Sequence, residues 1–96
     1  LGEILKNNTL KINAADNVVI TLQPIKRGDD LILDNKKIFG ATEDVPAGHK
    51  IALENIGEGE KIYRYGEPIL EATKTINQGE WVHVHNTRPI PGDLTA

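Results

Sequence analysis

Val45-Pro46-Ala47-Gly48-His49-Lys50-Ile51 is the stretch on which the reading of this chain turns. It places an aliphatic residue, two further residues, a glycine, two further residues and another apolar residue in order. The same unit returns at Ile25–Leu31 around Gly28, at Ile56–Ile62 around Gly59 and at Ile76–Val82 around Gly79. Glycine permits the positive φ of a tight turn, and the flanking aliphatic side chains anchor both ends of that turn in a core. The four glycines follow one another at intervals of 20, 11 and 20 positions. That symmetry suggests two similar halves, produced either by an old duplication or by the demands of a compact β-fold.

Working outward, Leu10–Ile12, Val18–Leu22, Ile51–Ile56, Ile62–Tyr65 and Ile69–Thr73 read as short strands. Residues 13–17 form a turn-rich loop, and Tyr65-Gly66-Glu67-Pro68 reads as a turn. Brief helical turns are suggested only at Gly2–Lys6 and near Ala52–Asn55. Trp81–His85 reads as a further strand, whose alternation sets Trp81, His83 and His85 on one face and a buried pair, Val82 and Val84, on the other. The expected fold is therefore mainly β, with short strands, long irregular connections and at most short helical turns. In the tail, Thr87-Arg88-Pro89-Ile90-Pro91-Gly92-Asp93 reads as a linker, because two prolines and a glycine oppose regular structure.

Ninety-six residues make one small domain with a thin core. The 39% hydrophobic content is mostly Ile, Val and Leu, a bias that favours sheet. Lys and Arg are scattered and the net charge is −3, so nucleic acid is a poor partner. No apolar run approaches a membrane span, and no charged-then-apolar N-terminal segment in this sequence resembles a signal peptide. The absence of cysteine excludes disulfide and thiolate chemistry. A cytoplasmic location is the expectation. The chain begins at Leu1, so its first residues are read as an extension or tag, or the whole as part of something longer.

The candidate site rests on the three histidines, since imidazole serves both proton transfer and metal ligation near neutral pH. His83 and His85 are a candidate metal pair that this chain alone does not complete, because a site needs further ligands. His49 and Lys50 follow a glycine turn and could contact a substrate. Arg64 could clamp an anion through its guanidinium. On spacing alone each has a bland reading too: idle edge-strand histidines, a turn-exposed His49, a solvated Arg64. Trp81 is most simply read as packing. No P-loop, dinucleotide fingerprint or convincing nucleophile and base pair is present.

Three strings carry a resemblance: Gly48-His49-Lys50-Ile51-Ala52-Leu53, then Gly59-Glu60 with Ile62-x-Arg64-Tyr65-Gly66, then Gly79-Glu80-Trp81-Val82-His83-Val84-His85-Asn86. Together with Ile12-Asn13-x-x-Asp16-Asn17-Val18 and Asn86-Thr87-Arg88, they resemble the N-terminal SAF domain of the altronate dehydratase family, in order from about residue 10 to residue 94. The resemblance implies an SAF-type β-clip fold over residues 10–87, with residues 1–9 as an extension and 88–96 as a linker toward a C-terminal catalytic domain. It also implies a hydro-lyase that converts D-altronate to 2-dehydro-3-deoxy-D-gluconate and water in hexuronate breakdown, with divalent iron or manganese.

In that chemistry a base takes the C2 proton and an acid helps the C3 hydroxyl leave, while a cation stabilises the developing charge. The resemblance makes His49, Lys50, Arg64 and Asn86 candidate substrate-binding residues and keeps His83 and His85 as candidate metal ligands. The implied partners are the enzyme's own catalytic domain, which would cover apolar surface exposed on the isolated domain, and a sugar acid, with oligomeric state left open between a monomer and a homo-oligomer. The domain is expected to be inactive alone. The small subunit of sulfolactate sulfo-lyase is similar as well, and a non-enzymatic SAF binding module is the third reading.

Overall fold

The computed structural model describes residues 4–91, and these contain strands, turns and bends with no helix. The strands are β1 (Thr9–Leu10), β2 (Val18–Thr21), β3 (Asp30–Leu33), β4 (Lys36–Gly40), β5 (Lys50–Ala52), β6 (Lys61–Arg64), β7 (Glu67–Ala72), β8 (Trp81–Val82) and β9 (Thr87–Arg88). A central antiparallel sheet runs in the order β1-β2-β5-β8. β3 and β4 make one hairpin; β6 and β7 make another, extended by β9.

The central sheet buries both faces, one under each hairpin. Val18, Ala52 and Val82 pack with Ile56, Ile62, Ala72 and Ile76. Their neighbours Val19 and Ile51 point the other way and pack with Ile25, Leu31, Ala41 and Val45, with Trp81 against them. Strands buried on both faces read as continuous aliphatic runs, as Val18-Val19-Ile20 does.

The two halves are alike in structure as well as spacing. Ile25, Gly28, Ala41, Val45 and Gly48 recur 31 positions later as Ile56, Gly59, Ala72, Ile76 and Gly79. The bridges Ile25–Val45 and Ile56–Ile76 correspond. So do the bonds from Gly28 N to Ala41 O and from Gly59 N to Ala72 O, both 2.8 Å. Each hairpin has a two-residue turn at positive φ, Asp34-Asn35 in the first and Tyr65-Gly66 in the second, as hairpin twist requires.

Each hairpin also carries a β-bulge, between Leu31 and Ile32 and between Ile62 and Tyr63. The residue skipped in the register lies in the second strand, Ile38 in β4 and Ile69 in β7. On the edge of β3 and of β6 that faces away from that strand, an asparagine from just before β1 or β2 bonds the backbone. Asn8 Nδ2 donates to Asp30 O at 2.9 Å while its Oδ1 accepts from Ile32 N at 2.7 Å. Asn17 does the same with Lys61 O at 2.9 Å and Tyr63 N at 2.8 Å. The preceding residues cap the turns: Asn7 accepts from Asn35 N at 2.7 Å, and Asp16 accepts from Gly66 N at 2.7 Å and Tyr65 N at 3.1 Å. The fold thus engages the chain from Asn7 and closes with Arg88, whose guanidinium meets the buried Glu71 at 3.0 Å.

Several expectations are corrected. Neither helical turn forms: Ala52 belongs to β5, and Leu5 N is taken by Asn35 Oδ1 rather than by a helical carbonyl. Of Gly2–Lys6, residues 2 and 3 lie outside the described residues, as do residues 92–96 of the tail, while Thr87–Arg88, expected as the start of a linker, form β9 against β7. The strand expected over Trp81–His85 stops at Val82, and a turn follows. Val84 is accordingly 79% exposed, not buried beside Val82. The β3–β4 hairpin was not anticipated, although Asp34-Asn35 between Leu31-Ile32-Leu33 and Ile38-Phe39 is its sequence signal.

Candidate functional site

The site lies where β5 meets β8. Ile51 pairs with Trp81 and Lys50 with Val82, so the line of the ladder carries His49 toward His83. Alternation puts His49, Ile51, Trp81 and His83 on one face. The rings gather there. His49 and His83 stand edge to face with centroids 5.0 Å apart, and His49 and Trp81 at 5.4 Å. His83 stacks on the indole at 5.1 Å with an interplanar angle of 6°. His85 reaches the same indole from the turn, at 5.6 Å. The indole Nε1 donates to His49 Nδ1 at 3.2 Å.

Local sequence explains why an imidazole stands at position 49. In the other three glycine units the residue after glycine is an acid, and its carboxylate accepts from the N–H three residues back: Asp29 from Lys26, Glu60 from Gly57, Glu80 from Asn77. In the fourth unit that place is Pro46, which has no N–H. No carboxylate is needed, and the side chain at 49 is available for another task. Thr21 holds this turn instead. Its hydroxyl donates to Pro46 O at 2.7 Å and accepts from His49 N at 3.1 Å.

Asn86 shapes the other side. It is 1% exposed, its Oδ1 accepts from His83 N at 3.0 Å and its Nδ2 donates to Trp81 O at 2.8 Å. Thr87 Oγ1 donates to His83 O at 2.8 Å. Asn86 is therefore placed under the turn with both ends of its amide engaged, and it orients His83.

Lys50 alternates to the opposite face of β5, toward Ile20 and Val82. Arg64 closes β6, with its guanidinium carbon 4.9 Å from the centre of the Tyr65 ring. Its Nε is buried without a hydrogen-bond partner. Among the described residues, neither Lys50 nor Arg64 meets a carboxylate within ion-pair distance. Partial burial, and then the charge of Arg64, hold the Lys50 ammonium below its ordinary value. His83 is also lowered, first by loss of solvent and then by His49, Lys50 and His85. The result is a cationic and imidazole-bearing cluster that wraps the end of β5.

The structure brings His49, His83 and His85 together around Trp81. It does not assemble a metal centre: among the described residues, no three His, Cys, Asp or Glu side chains are placed to hold an ion. Nδ1 of His49 accepts the hydrogen bond of the indole N–H, so that nitrogen is not free to hold an ion. A surface cleft of about 380 Å³ between Asn17, Glu54, Glu60, Lys61 and Tyr63 includes none of the cluster.

Sequence reading undervalued Trp81, which is the hub of the rings, and Asp16 with Asn17, which fix the hairpin bearing Arg64. The signal for the latter pair was their Asx chemistry just before an apolar strand.

Comparison with known proteins agrees with this picture. The model of the altronate/galactarate dehydratase SAF domain matches residues 7–89. Altronate dehydratases of Bacillus subtilis and Escherichia coli are each 40% identical to the chain over 85 residues, which is 88% of this chain and 17% of theirs. The chain thus spans about a sixth of the length of those relatives. The (2R)-sulfolactate sulfo-lyase subunit alpha of Chromohalobacter salexigens is 30% identical over 84 residues, 80% of this chain and 89% of that subunit. The chain belongs to the altronate/galactarate dehydratase SAF domain family.

Proposed function

We propose that this chain is the SAF domain of an altronate dehydratase-type hydro-lyase and that it supplies the anion-binding lobe of the site. The observation that carries this reading is two cations, Lys50 opening β5 and Arg64 closing β6, with no carboxylate within ion-pair distance among the described residues and the Arg64 Nε buried without a partner. Such a pair is relieved by an anion, and guanidinium receives a carboxylate through two parallel hydrogen bonds. Lys50 and Arg64 take the acid group of D-altronate, and His49 and His83 face its hydroxyl-bearing carbons. Asn86 holds the turn that presents His83. The base that removes the C2 proton, and the divalent iron or manganese expected for the reaction, belong to the remainder of the enzyme. The domain is inactive alone and works in the cytoplasm with that remainder.

A second reading is supported by the coverage of the sulfo-lyase subunit alpha, which this chain matches over most of its length. Sulfolactate is also an anionic hydroxy acid, so the same cationic pair suits it. The test assembles the chain with the remainder of the enzyme and supplies D-altronate or (2R)-sulfolactate. Water loss from D-altronate only when both parts are present supports the first reading. Consumption of sulfolactate supports the second. Full turnover by the large part without this chain removes the binding lobe from the account.

A further inference from the structure

We infer that Trp81 is a positioning residue that fixes the tautomer of His49, so that His49 presents its N–H at Nε2 to an oxygen of the bound hydroxy acid. The ligand class rests on the proposed function; the positioning role rests on geometry alone.

Indole nitrogen is a donor and never an acceptor. The nitrogen that faces it across 3.2 Å, His49 Nδ1, must therefore offer a lone pair. A neutral imidazole has one proton, so the His49 proton sits on Nε2. Nδ1–H His49, and doubly protonated His49, would both aim a proton at the indole N–H.

The indole is itself constrained from several directions. Its backbone N donates to Glu43 Oε2 at 3.0 Å, and its carbonyl accepts from Asn86 Nδ2 at 2.8 Å. One face of the ring carries His83 in a nearly parallel stack. The ring also borders a groove of about 300 Å³ that includes Pro24, Val45 and Pro46. A tryptophan chosen only for packing needs no partner for its N–H at a half-exposed site, since water can serve. Here the N–H is spent on a histidine whose position has been freed from the usual capping acid by Pro46. Both features serve the same end, one imidazole in one state.

The experiment is nitrogen-15 NMR of the histidine rings of this chain without ligand, at a pH well above the imidazole range. The expected wild-type spectrum shows His49 with a lone-pair Nδ1 and a protonated Nε2, the other tautomer being too scarce to detect. Trp81→Phe keeps a ring in place but removes the donor, and the tautomer ratio of His49 should fall by roughly fivefold, the weight of one ordinary hydrogen bond. His83→Ala keeps the donor and should leave His49 in its single tautomer. A wild-type His49 that populates Nδ1–H, or a ratio unmoved in Trp81→Phe, overturns the inference. Should Trp81→Phe fail to fold, hydrogen exchange of the wild-type Trp81 indole decides: slowed exchange supports the bond, and the rate of a free indole overturns it. A locked His49 whose signals do not respond to D-altronate in the assembled enzyme supports the positioning role and overturns the sugar-acid reading.

Discussion

Removing the amide of Asn17 tests how the site is held. Asn17→Ala deletes two hydrogen bonds, to Lys61 O and from Tyr63 N. Both backbone groups lie on the edge of β6 that faces away from β7, where no other strand pairs with it. A typical bond contributes about 1 kcal/mol, and a partly buried orphan group costs about 1–3 kcal/mol. Partial access of water puts the sum near the lower end, about 2–3 kcal/mol. For a domain of this size that corresponds to a fall in Tm of roughly 10–20 °C.

Asn8→Ala removes the equivalent bonds from the outer edge of β3. It should cost the same to within about 1 kcal/mol. Thermal unfolding followed by circular dichroism measures both. Only Asn17→Ala should also weaken anion binding, because only its hairpin carries Arg64. A loss below about 0.5 kcal/mol in Asn17→Ala, the range of neutral surface changes, would refute the clamp. So would a large disparity between the two variants.

Other consequences can be checked on the same chain. Gly28 and Gly79 share φ of +90°, but a Cβ at Gly28 meets nothing within 4 Å whereas one at Gly79 meets Gly40 O at 2.9 Å. Gly28→Ala should therefore lose only the conformational cost of about 1–2 kcal/mol, and Gly79→Ala clearly more, by denaturant unfolding. Tyr65 is a non-glycine residue at φ +58° and is 58% exposed, so Tyr65→Gly should leave stability unchanged or raise it by up to about 1 kcal/mol. The same variant removes the ring beside Arg64 and should weaken binding of a carboxylate ligand.

The His83 imidazole lies below its ordinary 6.5, so the unfolded chain binds its proton more readily than the folded one. Stability should then fall as pH drops from 6.5 through the lowered value, and His83→Gln should flatten that slope in unfolding curves measured across the range.

The glycine units were legible because positive φ and flanking aliphatics leave a fixed spacing, and the 31-position repeat followed from them. The turn at Tyr65-Gly66 was legible for the same reason. Trp81–His85 misled because its alternation is sound to the eye, while the ending of β8 is dictated by a side chain beyond it, Asn86, that bonds back to Trp81 O and His83 N. The gathering of His49 with His83 depends on the β5–β8 register, which no local pattern states. The role of Asn8 and Asn17 was hidden for a similar reason: each bonds the edge of a strand more than twenty residues away in sequence.

In the proposed function Lys50 and Arg64 bind the acid group of the substrate. The most direct test is the kcat/KM for D-altronate of the assembled enzyme carrying Lys50→Ala and Arg64→Ala. Two charge-assisted contacts of about 1.5–3 kcal/mol each predict a loss of roughly 100-fold or more, with the fold of the domain retained or stabilised by relief of the like-charge pair. Unchanged kcat/KM in a folded double variant would contradict the account.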